Sequence, residues 1–265
     1  MAAFEPYEIT RKDGEAREVR LTGRAVGMPD GKPVVMLASL GRPGSDFDDL
    51  AERLALKGYR VVLPEPRGIG GSTGPMKGLT LHDLAADVAY VIETQTNAPV
   101  TLLGHAFGNR LARTAAADYP NLVSRVILLA CGGLIEMPEE SRKALIGCFD
   151  ESLSPEEHIA CVRKGFFADG NDPEVWRDGW YPQVMRMQSS AVRATDVEDW
   201  WEAGGQPMLV VQALDDAIAL PANAQDIKQR LGERITLAEL AHAGHAMLPE
   251  QPAEIARIVG DYLAS

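Results

Sequence analysis

Apolar residues follow two alternating patterns along this chain. Short apolar runs rich in branched side chains, typical of buried strands, alternate with longer segments whose apolar residues return every three to four positions, as on one helix face. Such alternation predicts a mostly parallel sheet covered by helices on both faces. We predict strands at residues 34–39, 59–63, 99–103, 124–130, 207–213 and 234–240, and helices at 46–57, 80–96, 109–119, 223–231 and 252–263.

Two segments depart from this alternation. Residues 7–10 and 18–26 flank a short polar stretch and predict an antiparallel hairpin at one edge of the sheet. Residues 134–205 contain short helical pieces, acidic turns and most of the large aromatic side chains. We therefore expect an α/β core made of residues 1–133 and 206–265, with residues 134–205 inserted as a helical cap or lid.

Composition narrows the class of partner. The chain has 265 residues, 46% of them hydrophobic, and a formal net charge of −12. This length suits one large core. The negative charge argues against binding to nucleic acid or to an anionic membrane surface, because both would repel the chain. The expected partner is a small molecule, and the sequence leaves the oligomeric state open.

The cysteines and the N-terminal segment bear on compartment and cofactors. Three cysteines without metal-ligand or C-x-x-C spacing fit a reducing compartment better than a disulfide framework. Neither a metal ion nor an organic cofactor is indicated. The N-terminal residues are charged, and no apolar run reaches the length of a membrane-spanning helix. We expect a cytoplasmic protein.

The run Gly104 to Gly108 reads Gly-His-Ala-Phe-Gly, which is the glycine spacing of a nucleophile elbow. This elbow is a sharp turn between a strand and a helix that exposes one side chain, and the flanking predicted elements supply that context. The exposed position here is Ala106. The chain therefore has the setting of a catalytic serine with a methyl group in place of the hydroxymethyl.

Three further motifs occur along the chain. Residues 64–72 read PEPRGIGGS, residues 210–216 read VVQALDD, and residues 243–252 read AGHAMLPEQP. Together with the elbow, they resemble the α/β-hydrolase fold family over nearly the whole chain. The resemblance implies an eight-stranded, mostly parallel sheet, with a helical cap between the sixth and seventh strands.

The resemblance also implies the roles of individual residues. His245 occupies the position of the triad base, and counting from Ala213, which replaces the family's glycine, places the triad acid at Asp216, with Asp215 as the alternative. A histidine held by a carboxylate has a fixed tautomer, so its other ring nitrogen can accept and return a proton. An esterase-like mechanism would use these two residues.

An oxyanion hole is expected from two backbone N–H groups. One belongs to Phe107, directly after the elbow tip, and the second comes from the loop at residues 39–45. Because Leu40 stands where the family usually has histidine, we assign the second donor to Arg42. Its side chain is expected either at the surface or in the pocket against a ligand anion.

Ala106 leaves the reaction open, since a methyl group cannot form an acyl-enzyme. Either alanine replaces a catalytic serine, which makes the chain an inactivated hydrolase for small, partly apolar ester-like or carbonyl substrates, or alanine is native. Leu40, Asn109 and Ala213 also depart from the family's usual residues, and these departures favour native alanine.

Native alanine allows three alternatives. His245 with Asp216 can act as a general base on water or on a substrate proton, as in lyases and cofactor-free oxygenases of similar fold. Cys131 can serve as a replacement nucleophile, although strand-end cysteines are usually small buried hydrophobes. The third alternative is a protein that binds a small molecule and catalyses no reaction. An oriented imidazole argues against it, because binding alone does not need one.

Substrate-contacting residues are expected around the pocket. Leu40 and Cys131 are placed at its rim. Trp176, Trp180 and Trp200 of the cap either line an apolar slot for the substrate or form the cap's own core.

Overall fold

The computed structural model describes residues 3–97 and 99–265 and contains one eight-stranded sheet. In chain order the strands are β1 (Glu5–Lys12), β2 (Glu18–Val26), β3 (Lys32–Leu37), β4 (Tyr59–Pro64), β5 (Val100–His105), β6 (Val123–Leu129), β7 (Met208–Ala213) and β8 (Ile235–Leu240). Their spatial order is β1-β2-β4-β3-β5-β6-β7-β8. Strands β3 to β8 run parallel, and β1 and β2 form the predicted antiparallel hairpin at one edge.

Helices cover both faces of this sheet. They are α1 (Asp48–Leu56), α2 (Leu81–Gln95), α3 (Phe107–Asp118), α4 (Glu139–Gly147), α5 (Pro155–Phe166), α6 (Pro182–Arg193), α7 (Val197–Trp200), α8 (Ala222–Leu231), α9 (Met247–Glu250) and α10 (Pro252–Ala264). Apolar residues of α1 and α10 share one core cluster, and those of α2, α3 and α8 share the other. No helix within the described ranges has the length and apolar character needed to cross a bilayer.

The central strands are buried on both faces, which explains their uninterrupted apolar runs. In β7, Met208 and Val210 pack into the cluster with α2 and α3, whereas Leu209 and Val211 pack into the cluster with α1 and α10. This is the alternation of a strand's side chains between the two faces of the sheet. The predicted two-sided covering of the sheet is therefore confirmed.

One boundary difference lies at the elbow. Strand β5 continues through His105 and α3 begins at Phe107, so that Ala106 alone makes the turn, whereas the sequence predicts the helix from residue 109. The first turn of α3 contains Gly108 and has no side-chain cap, so the usual sequence signals of a helix start are missing. Helix α9 was also missed, because four residues are too short to show a helical period.

Between β6 and β7 the chain forms only helices and turns, since residues 130–207, all described, contain no strand. The aromatic rings of Phe149, Phe166, Trp176 and Trp180 meet there in tilted and edge-to-face pairs with centroids 5.0–6.0 Å apart. Ile218 and Ala246, from the loops after β7 and β8, belong to the same cluster. The inserted helices thus pack over the carboxyl edge of the sheet; their separate status as a cap domain stays a prediction.

The loop after β4 is anchored by a buried ion pair. Arg67, 2% exposed, donates from Nε and Nη2 to the Asp87 carboxylate of α2 at 2.6 and 2.9 Å. Its Nη1 also donates to the Pro75 carbonyl at 3.0 Å, and Arg11 of β1 adds a further bond to Asp87 at 2.9 Å. The arginine of the sequence PEPRGIGGS therefore fixes the loop to α2 and to the edge hairpin.

Asp87→Ala should destabilise the fold by about 3–5 kcal/mol, because it leaves the buried Arg67 guanidinium without its counter-charge. Asp49→Ala is the matched control: Asp49 pairs with Arg53 on the surface of α1, its side chain is 57% exposed, and its loss should change stability by less than about 1 kcal/mol. Urea unfolding of both variants measures the difference. Equal midpoints would contradict the anchoring role.

Candidate active site

Ala106 lies at the tip of a sharply strained turn. Its φ of 50° and ψ of −105° are values that alanine rarely adopts. A side chain at Gly104 would collide with the Gly108 carbonyl, and one at Gly108 would collide with the Leu37 carbonyl of β3. The two glycines are therefore required by the close approach of α3 to the sheet, and they place residue 106 above the carboxyl ends of β3 and β5.

Asn109 connects this turn to the end of β6. Its Nδ2 donates to the carbonyls of Leu129 and Ala130 at 2.8 and 3.0 Å, and the side chain is fully buried. The asparagine thus ties the first turn of α3 to the end of β6. Its presence where smaller residues are usual has a structural cause.

Asp216 and His245 meet beside the elbow. His245 Nδ1 lies 2.9 Å from Asp216 Oδ2, and both residues are almost completely buried. Asp216 Oδ1 accepts the N–H groups of Ile218 and Ala219 at 2.8 and 2.7 Å. Nδ1 therefore carries the proton towards the carboxylate, and Nε2 is left as an acceptor. Asp215, the alternative acid, is exposed.

His105, beside the elbow tip, supports the loop of His245. Its Nε2–H donates to the His245 carbonyl at 2.8 Å, and its ring lies 5.4 Å from the His245 ring. Nδ1 of His105 is buried without a partner among the described residues. Burial lowers the pKa of His105 to about 3, with a smaller contribution from His245, so the ring stays neutral at neutral pH.

The loop after β3 presents a different amide from the one predicted. The Arg42 N–H donates to the Ser39 carbonyl at 3.2 Å, and the Gly41 N–H donates to Gln188 Oε1 of α6 at 2.7 Å. The Leu40 and Phe107 N–H groups make no backbone hydrogen bond among the described residues, and both residues line one cavity. The Arg42 N–H is therefore engaged within its own loop, contrary to its assignment as donor, whereas the Leu40 N–H is free of a backbone partner beside the cavity.

The Arg42 side chain lies neither at the surface nor in the cavity. It donates to both carboxylate oxygens of Asp46 at 2.8 Å and to the Asp178 carbonyl at 2.8 Å. Its guanidinium stacks between the rings of Trp176 and Trp180, 4.3 and 4.5 Å from their centroids. Both expectations for this side chain were wrong, since it joins the loop after β3 to the inserted helices.

A cavity of about 460 Å³ opens at the elbow, between the sheet and the inserted segment. It is lined by Ala106, Phe107, Leu40 and His245, together with residues of the segment after β6 and of α6. The histidine therefore reaches the same space as the elbow methyl and the two unpaired amides. Among the described residues, His245 Nε2 has no hydrogen-bonding partner.

Four predicted pocket residues do not line this cavity. Cys131 is 1% exposed, and burial raises its pKa, which keeps the thiol protonated and removes the case for a nucleophile. Trp200 packs over the Arg113 guanidinium at 4.5 Å, on α3. Trp176 and Trp180 belong to the aromatic core of the inserted segment. Leu40 alone of the predicted set lies in the cavity, and the sequence analysis missed Arg110.

Comparisons with known proteins give the same architecture. A family model described as alpha/beta hydrolase fold matches residues 32–147. RutD of Variovorax paradoxus strain S110, provisionally named a carbamate hydrolase, is 26% identical over 261 residues, which cover 90% of this chain and 94% of RutD. ABHD8 of Homo sapiens is 25% identical over 78% of this chain and 49% of ABHD8, so the chain spans about half of that relative.

A solved structure extends the likeness to the whole chain. An esterase from Exiguobacterium antarcticum matches with a TM-score of 0.80 at 19% identity, over 98% of this chain and 100% of the esterase. The chain has the α/β-hydrolase fold. RutD and this esterase carry hydrolase names at low identity to this chain.

His105→Gln should flatten the dependence of stability on pH. The unfolded chain binds a proton at this imidazole below about pH 6.5, whereas the folded chain does so only near pH 3. Between these two pH values, the free energy of unfolding decreases as the pH falls. This group contributes up to about 1.4 kcal/mol per pH unit to that decrease. Glutamine keeps an N–H donor for the His245 carbonyl and removes the titration.

Urea unfolding at pH 6.5, 5.5 and 4.5 measures this effect as the difference between the variant and the unmodified chain. His242→Gln, which replaces an exposed histidine, serves as the control. An undiminished slope in His105→Gln would show that the buried imidazole is not the group responsible.

Proposed function

We propose that this chain hydrolyses a small, partly apolar ester-like or carbonyl compound by activating water at His245, without an acyl-enzyme. The observation that carries the proposal is the buried Asp216–His245 pair at 2.9 Å, with His245 lining the cavity that also holds the elbow methyl. An imidazole oriented by a carboxylate beside a cavity is the arrangement that general-base catalysis needs.

The steps follow from the hydrogen bonds of the pair. Nε2 of His245 accepts a proton from a water molecule, and the resulting hydroxide attacks the substrate carbonyl. Asp216 stabilises the imidazolium that forms. The imidazolium then returns the proton to the leaving group as its bond to the carbonyl carbon breaks. The methyl group of Ala106 leaves space for the attacking water where a serine would place its hydroxyl.

The unpaired amides of Leu40 and Phe107 fit the second requirement of this reaction. Attack on a carbonyl moves negative charge onto its oxygen, and two backbone N–H groups that donate to this oxygen stabilise that charge. Phe107 is also the first residue of α3, a helix of 12 residues, so the positive end of the helix dipole adds to the effect.

The names of the relatives support this reaction class. A carbamate hydrolase and an esterase both break an acyl bond by adding the elements of water, and both need an activated nucleophile and a stabilised oxyanion. We infer the same class for this chain. Its carbonyl substrate is then an ester or a carbamate.

A second function has one observation in its favour. Ala106 keeps the positive φ of an elbow, which exposes a nucleophile in serine hydrolases of this fold. The chain would then be a serine hydrolase whose nucleophile has been replaced by alanine. Asn109 and Leu40 weigh against this alternative, because both depart from the residues usual at these positions.

His245→Ala should lower kcat/KM for short-chain 4-nitrophenyl esters or carbamates by about 100-fold to 10,000-fold, since it removes the general base. Asp216→Asn should lower it as well, because the tautomer is no longer fixed. The matched control is His242→Ala, at an exposed position away from the cavity. Thermal melts check that each variant folds. Turnover that survives His245→Ala would refute the mechanism, and absence of turnover in the unmodified chain would favour a binding protein.

Ala106→Ser distinguishes the two hydrolytic mechanisms. Water activation predicts no gain in kcat/KM and no covalent adduct, because the hydroxyl takes the place of the attacking water. Restoration of a serine triad would instead raise turnover steeply, since loss of the triad serine costs on the order of a millionfold. Stopped-flow assays measure the turnover, and intact-protein mass spectrometry detects a covalent adduct. A gain above about a thousandfold with an acyl adduct would contradict the water mechanism.

A further inference from the structure

One charged side chain in the cavity has no role in the proposed chemistry. Arg110 of α3 lies four residues after Ala106, one helical turn along, and lines the same cavity as His245. Its guanidinium makes no hydrogen bond and no salt bridge to any described residue, and its aromatic contact is a distant one with the Trp200 ring at 5.7 Å. Arg113, three positions along, is bonded to the Asn109 and Gly132 carbonyls, although its Nη1 has no partner among the described residues.

The surroundings of the unpaired Arg110 guanidinium are also unfavourable for its charge when no anion is bound. Burial lowers the pKa of Arg110, which means that its surroundings stabilise the cation less well than water does. A partly buried cation without a counter-charge is destabilising, and a bound anion would supply the missing partner. Arginine presents a planar fork of donors that fits the two oxygens of a carboxylate.

The charges around the cavity reinforce this argument. A groove of about 870 Å³ adjoins the cavity and shares Leu40, Arg142 and Arg193 with it. The basic residues that line the two spaces are Lys77, Arg110, Arg142, Arg186 and Arg193, and Glu136 is the acidic residue there. The whole chain has 38 acidic and 26 basic residues. A basic entrance on an acidic protein attracts anions to this opening.

We propose that the cavity takes substrates that carry a carboxylate, and that Arg110 pairs with that carboxylate while His245 acts on the carbonyl. This inference rests on the proposed hydrolytic function for the identity of the reacting group. The carboxylate binding itself stands on Arg110 alone and can be measured without turnover. Arg110 is the partly buried arginine of the cavity lining, whereas Arg142 and Arg193 are exposed, so one carboxylate matches it. The apolar lining of Leu40, Phe107 and Ile218 accommodates the rest of the molecule.

Binding is tested with benzoate and its neutral isostere benzamide, by calorimetry at low ionic strength. The unmodified chain should bind benzoate about 10-fold to 100-fold more tightly than benzamide, which is the usual size of a charge-assisted bidentate hydrogen bond. Arg110→Gln should abolish this preference, and Arg163→Gln, at an exposed arginine of α5, should keep it. Added salt should weaken the preference.

Turnover is tested with 4-acetoxybenzoate and phenyl acetate, an anionic and a neutral ester of the same alcohol type. The unmodified chain should prefer the anion in kcat/KM, mainly through KM, and Arg110→Gln should lower kcat/KM for the anionic ester more than for the neutral one, which removes that preference. Should Arg110→Gln fail to fold, Arg110→Lys replaces it; a point charge without the fork should retain part of the preference.

The outcomes separate this inference from the proposed function. Equal binding of benzoate and benzamide, or a preference unchanged by Arg110→Gln, overturns the carboxylate site even when esters are hydrolysed. Benzoate binding that depends on Arg110 without hydrolysis of either ester supports the carboxylate site and refutes the hydrolase. A preference lost only in Arg142→Gln or Arg193→Gln overturns the assignment to Arg110.

Discussion

The close approach of α3 to the ends of β3 and β5 is the constraint on which the candidate site depends. Gly104 and Gly108 permit it, because any side chain at either position would meet a backbone carbonyl. The approach forces the strand-to-helix turn into a single residue, and Ala106 adopts a positive φ as a result. It also places Phe107, whose N–H makes no backbone hydrogen bond among the described residues, in the lining of the same cavity as Ala106. Tip and amide are thus positioned by one packing contact.

A second set of contacts joins this site to the inserted helices. Arg42 reaches from the loop after β3 to the Asp178 carbonyl and lies between Trp176 and Trp180, while Gln188 of α6 holds the Gly41 amide. These bonds fix the loop that presents the Leu40 amide. Movement of the inserted segment would therefore shift the proposed oxyanion site, because the same loop carries both the Arg42 side chain and the Leu40 amide.

The sequence predicted the sheet, the order of its elements, and Asp216 and His245 beside the elbow. It predicted the residues that line the pocket less completely. Strands and helices leave periodic apolar patterns, and the motifs around Ala106, Asp216 and His245 lie at fixed places on the sheet edge. Side-chain direction within the loops and the inserted segment leaves no such pattern. Arg42 and Cys131 were therefore assigned to the pocket, although an ion pair with Asp46 and burial beside Arg113 direct them elsewhere. Arg110 carried a signal that was not used: a cation four residues after the elbow tip, on the same helix face.

Three features in or beside the candidate site oppose stability. An alanine in a strained turn costs on the order of 1–3 kcal/mol. His105 leaves Nδ1 buried without a partner, and Arg110 holds a partly buried charge without a counter-ion among the described residues. Arg67, by contrast, is paired with the Asp87 carboxylate. The strained tip at Ala106 and the unpaired Arg110 line the same cavity as His245 of the oriented Asp216–His245 pair. Groups that the protein leaves unsatisfied beside such a pair are those that a ligand can satisfy.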